Sequence, residues 1–159
     1  MTRQEEAAAL AEEVHREWEL LAIPDRQRVW DTLIGNNDLF EDETVAKAIA
    51  GRRFDEVPLQ EDLALETWLS RLPPEDASYY LSTHLRALLG QLQMEERPFY
   101  LAAVDLFGYL TSPEYRSAVK PHLSESRWSL VIRTIRLALK SEGLDRFTAQ
   151  QLQELVSGS

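Results

Sequence analysis

Residues 124–140 read SESRWSLVIRTIRLALK. At about 100° per residue, Trp128, Ile132, Ile135 and Leu139 form one stripe, and Leu130 and Leu137 lie on nearly the opposite side. A helix that is apolar on two faces needs neighbours on both, so this stretch predicts a helix running through the middle of a bundle. Ser124 supplies its start and Gly143 its stop.

The same punctuation recurs outward from there. Thr148 with Gln151 predicts the cap of a last short helix bearing Leu152, Leu155 and Val156. At the other end, Thr2 and Glu5 have capping-box spacing, and Leu10, Val14, Trp18 and Leu21 follow at helical intervals, predicting a helix over 3–22. Pro24 opens a second with Val29, Trp30, Leu33 and Ile34 inward and Gly35 as its end. Asp38 with Glu41 starts a third, which carries Phe40, Val45 and Ile49 and stops at Gly51. After the irregular connection GRRFDEVP (51–58), Pro58 opens a fourth, with Leu65, Trp68, Leu69 and Leu72 on one side. Pro73-Pro74 breaks it, and a fifth runs over 74–94 with Tyr80, Leu81, Leu85, Leu88 and Leu92. Pro98 begins a sixth and Ser112-Pro113 a short seventh. No segment alternates apolar and polar residues as a strand would. The expected fold is all-α: one domain over 1–159, a mainly antiparallel bundle of about eight or nine helices. The alternative is a short HEAT-like solenoid, suggested by LPPEDASYYLSTHL (72–85) over LTSPEYRSAVKPHL (110–123), which aligns His84 with His122 at an offset of 38 residues.

Composition narrows the function classes. The chain has 159 residues, 44% of them hydrophobic, which is enough for a sizeable core. It has no cysteine, which removes disulfides, thiolate metal sites and a cysteine nucleophile. The acidic start MTRQEEAAALAEEV does not read as a signal peptide, and no apolar run suggests a membrane span, so a cytoplasmic protein is expected. The net charge is −10, and it is unevenly placed: residues 1–80 hold 19 acidic and 8 basic side chains, and residues 81–159 hold 8 and 9. An acidic half repels nucleic acid and anionic lipid and suits a basic partner; the plainer reading is a solvated surface.

Chemistry is sparse. Glu12-x-x-His15 has di-iron spacing, but no second pair of this kind exists, and the acidic run Asp38, Glu41, Asp42, Glu43 lacks the pattern of a calcium loop. Neither a metal nor another cofactor is expected. Phosphate-loop, dinucleotide and nucleophile-elbow patterns are absent, and no catalytic residue is assigned. Arg133, Arg136 and Lys140 form a basic ridge on the helix that follows Ser124. It either pairs with the acidic half or binds an anion.

Aromatic residues say more. Nine of 14 lie between 68 and 128, and consecutive pairs such as Tyr79-Tyr80 and Phe99-Tyr100 cannot all face one core. The plainer reading is a large aromatic core with tyrosine hydroxyls at its rim; the other places some of these rings at the surface or in a groove, where tyrosine favours protein contacts. Arg52-Arg53-Phe54, two cations and an aromatic in a connection between acidic helices, reads as a recognition tip or as a helix stop with dipole-compensating arginines.

The stretch WLSRLPPEDASYYLSTHLRALL (68–89) resembles the central pattern of an uncharacterised bacterial family, the domain of unknown function 6714. Leu72, Pro74, Glu75, Tyr79, Tyr80, Leu81 and Leu85 occupy the similar positions, and Ser82 stands where that pattern has a second proline. The resemblance implies an all-helical bacterial protein and no particular activity.

The expected function is a non-catalytic protein-binding module in an immunity, inhibitor or adaptor role, docking on a basic partner. Its contact residues would be Asp38, Glu41, Asp42, Glu43, Arg52, Arg53, Phe54 and Tyr79. The alternative is a small-molecule or anion-binding bundle, possibly enzymatic, with an aromatic pocket and Arg133, Arg136 and Lys140 as anion ligands.

Overall fold

A computed structural model describes residues 1–35, 40–58, 68–94, 101–141 and 143–158, without the side chains of 40–42 and 101–102. Among the described residues there are eight α-helices and no strand: α1 (Arg3–Glu19), α2 (Arg26–Ile34), α3 (Phe40–Ile49), α4 (Pro74–Met94), α5 (Leu101–Thr111), α6 (Pro113–Val119), α7 (Glu125–Leu139) and α8 (Arg146–Ser157). Two short 3-10 turns, Leu69–Arg71 and Lys120–His122, complete the set. No described helix is long and apolar enough to cross a membrane.

Caps explain the boundaries. Thr2 Oγ1 accepts from the Glu5 N–H at 3.1 Å and starts α1. Ser124 Oγ accepts from the Arg127 N–H and starts α7. Two starts differ from expectation because a carboxylate caps better than its neighbours. Asp25, not Pro24, caps α2 through the Arg28 N–H, and Asp145 caps α8 through the Thr148 N–H three residues before the expected position. The fourth expected helix falls mostly outside the described residues, and its described end is the 3-10 turn at Leu69–Arg71.

The centre of the bundle is α4. It packs against α1, α5, α6, α7 and both 3-10 turns, and it is buried almost all round. The stripe Ala7, Leu10, Val14 and Trp18 of α1 lies against it. Helix α7 also fills the role that its two apolar faces predict, with α1 and α4 as neighbours and α8 as another. Both Leu130 and Leu137, and both Ile132 and Ile135, are buried. The solenoid alternative is overturned by these contacts. In a solenoid each unit touches its chain neighbours, whereas α1 packs on α4 and α7. The two aligned histidines differ as well: His84 is buried and His122 is exposed.

Position 51 requires glycine. Gly51 ends α3 at φ 75°, and a Cβ there would lie 3.0 Å from the Arg26 side chain. The turn it makes brings residues 52–57 back onto α4.

Candidate functional site

Helix α4 buries Asp76, Ser78, Ser82, Thr83, His84 and Gln91 together with its apolar residues. Hydroxyls can be buried on a helix because they satisfy themselves on a carbonyl three or four residues back. Ser78 Oγ donates to the Glu75 carbonyl at 2.5 Å and Ser82 Oγ to that of Tyr79 at 2.6 Å. Asp76 is 1% exposed and is gripped from two sides by Arg28, at 3.0 and 2.5 Å. That fork also raises the Arg28 guanidinium above its ordinary value.

The end of α3 and the loop after Gly51 are fastened to α4 by the side chains of Tyr79, Tyr80, Thr83 and Arg86, the last donating to the Asp55 carbonyl at 2.8 Å. The Phe54 N–H donates to Tyr79 Oη at 3.1 Å, and Thr83 Oγ1 donates to the Phe54 carbonyl at 2.9 Å. Tyr80 Oη lies 3.0 and 2.9 Å from the carbonyls of Ile49 and Arg52. The Phe54 ring meets His15 and Tyr79 edge-on at 5.4 and 6.0 Å. Burial pushes both phenols, Tyr79 and Tyr80, to higher pKa values. Arg53 forks onto Asp55 at 2.8 and 2.6 Å and holds that carboxyl below the usual range.

These contacts correct the expected recognition tip. Phe54 and Tyr79 are 1% and 3% exposed, so neither presents a surface to a partner. Consecutive aromatics can both be buried here because α4 is surrounded, a condition that a one-sided helix does not meet. Arg52 is exposed, Arg53 is half-buried in its pair with Asp55, and Glu43 is exposed and paired with Lys47 at 3.2 Å. Asp38 lies outside the described residues, as do the side chains of Glu41 and Asp42 and the pair Phe99-Tyr100. Leu72, Tyr79, Tyr80, Leu81 and Leu85, five of the positions on which the resemblance was drawn, are buried.

The basic ridge is exposed, and its first member pairs with a carboxylate. Arg133 pairs with Glu13 at 3.0 Å, beside a groove of about 380 Å3 that Glu13, Glu17 and Arg16 also line. Arg136 and Lys140 are exposed, and the Lys140 carbonyl accepts from Arg3. Glu13 from α1 thus occupies Arg133, whereas among the described residues no carboxylate lies within 4 Å of Arg136 or Lys140.

Sequence reasoning missed a buried pair. His84 Nε2 lies 3.0 Å from Asp105 Oδ2, with His84 1% and Asp105 8% exposed. Trp68 covers the imidazole at 4.6 Å between ring centroids. The two partners are 21 residues apart and on different helices, which no spacing rule connects. With Nδ1 at 3.4 Å from the Tyr80 carbonyl, Nε2 on Asp105 and the ring sealed from solvent, the pair ties α4 to α5.

A second unforeseen feature lies at the far end of the bundle. Thr111, Arg116, Ser117, Lys120, Trp128 and Gln151 line a groove of about 310 Å3 together with Glu154 and the end of α8. Lys120 Nζ sits over the Trp128 ring, 5.0 Å from its centroid. The buried Trp128 indole N–H has no acceptor, a state that costs about 1–3 kcal/mol. Nearby, Tyr109 stacks on Tyr115 at 5.1 Å, and burial pushes its phenol up to about 12.

Among the described residues no three His, Asp or Glu side chains converge as a metal would need. Compared with protein-family models, curated proteins and solved structures, the chain matches none.

Proposed function

We propose that this chain is a non-catalytic protein-binding module whose acidic exterior docks on a basic partner. The observation that carries this reading is the set of exposed carboxylates on and beside α1–α3, which stand with the exposed cations Arg16, Arg26, Arg28 and Lys47. Glu5, Glu12, Glu19, Asp25, Asp31 and Glu43 are all exposed, and among the described residues Glu5 and Glu12 have no cation within 4 Å. Charge of this kind steers encounter with a positive surface over a Debye length of about 8–10 Å. Since Phe54 and Tyr79 belong to the core, the apolar anchors would be Leu20 and Ile23, which follow α1 at 78% and 42% exposure. An immunity, inhibitor or adaptor role uses this same surface.

The test is capture of a partner from the host on the immobilised chain, washed at low and then high salt, beside a Glu5→Lys/Glu12→Lys/Glu43→Lys variant. The expected result is one stoichiometric basic partner, released by salt and lost from the variant by at least about tenfold in affinity. A partner held equally by the variant, or none at either salt, overturns the reading.

A second reading is binding of a small anion, for which the groove beside Trp128 offers two cations without an acidic partner among the described residues, whereas Arg133 is paired with Glu13.

A further inference from the structure

We propose that the groove beside Trp128 is a carboxylate site for an amphipathic acid, whose apolar part lies in the adjoining groove between α5 and α8. The head site is built from three kinds of donor. Lys120 and Arg116 line it, and neither is within 4 Å of an acidic group among the described residues. Arg116 spends one nitrogen on the Leu110 carbonyl, at 3.0 Å, which fixes the guanidinium and leaves its other donors for a ligand. Trp128 adds a buried indole N–H with no acceptor.

Two cations against Glu154 leave the groove net positive, which suits an anionic head, and the apolar groove beside it favours a head that carries a tail. The neighbouring groove, about 350 Å3, shares Thr111 and Gln151 with the first and is walled mainly by apolar groups. Val104 and Phe147 flank it at 51% and 69% exposure, with Phe107 and Leu144 beneath. A Cβ added at Gly108, on the wall, would meet nothing within 4 Å, so there is room beside the helix backbone. An acid head and an aliphatic or aromatic tail suit the two compartments in that order.

The experiment is a titration of the 15N-labelled protein with octanoate, following the indole N–H resonance that disappears in Trp128→Phe. Acetate, octanol and inorganic phosphate are titrated in parallel. Octanoate is expected to shift that resonance downfield, as an N–H gaining an acceptor does, and to saturate at one site. Lys120→Gln and Phe147→Ser, both at exposed positions, are each expected to weaken binding about tenfold while the far-UV spectrum stays unchanged. Acetate and octanol, which each lack one half of the ligand, are expected to bind more weakly than octanoate. An indole resonance unmoved by octanoate, undiminished binding by either variant, or tighter binding of phosphate overturns the proposal.

Discussion

Trp18→Ala is expected to cost about 3–5 kcal/mol of folding free energy, the largest effect of any single truncation in α1. The indole is 0% exposed, and its Nε1–H donates to the Ser78 carbonyl at 3.0 Å across the interface between α1 and α4. Alanine removes the ring volume at the centre of the packing and the hydrogen bond together. Trp18→Phe separates the two contributions, because it keeps most of the volume and loses the donor. It is expected to cost about 1–2 kcal/mol, a net hydrogen bond with a small void. Urea denaturation of the three proteins measures both values. A Trp18→Ala loss below about 1 kcal/mol would show that α1 is not docked on α4 as described.

The second large effect is at His84. Its removal by His84→Leu leaves the Asp105 carboxylate buried without its partner, at an expected cost of about 3–5 kcal/mol. Replacing both residues, His84→Leu with Asp105→Leu, is expected to recover part of that loss, because an apolar pair carries no desolvation cost. The coupling between the two positions should be about 1–3 kcal/mol in a double-mutant cycle on denaturation free energies. Additive losses would mean that the two side chains do not interact in solution.

Sequence alone reveals much of the helical framework and little of what lies between the helices. Caps and stops are local, so Thr2, Gly51, Pro74, Ser112 and Ser124 place helix ends at or within a residue or two of where they fall. The two apolar stripes of α7 are equally local and carry its place between neighbours. The place of α4 is different. Its serines, threonine and histidine look like a solvent-facing side, whereas they are satisfied by carbonyls and by Asp105. The available signal was their type: short hydroxyls that bond to their own helix do not demand water. The same misjudgement put Tyr79 and Phe54 on the outside. Whether a side chain of that kind is buried depends on how many helices surround it, and that number is tertiary. Trp128 shows the converse case, a residue on the expected stripe that lines a groove formed by α6, α7 and α8. No pattern within α7 encodes such a groove.

The central claim is that the acidic side of α1–α3 makes the contact, and carboxyl footprinting tests it most directly. Exposed carboxylates are labelled with a carbodiimide and an amine, in the free chain and in the captured complex, and each position is quantified by mass spectrometry. The account predicts that Glu5, Glu12 and Glu43 lose most of their labelling in the complex while Glu114 and Glu154, on α6 and α8, keep theirs. Unchanged labelling of Glu5, Glu12 and Glu43, with protection at Glu114 or Glu154 instead, would contradict it.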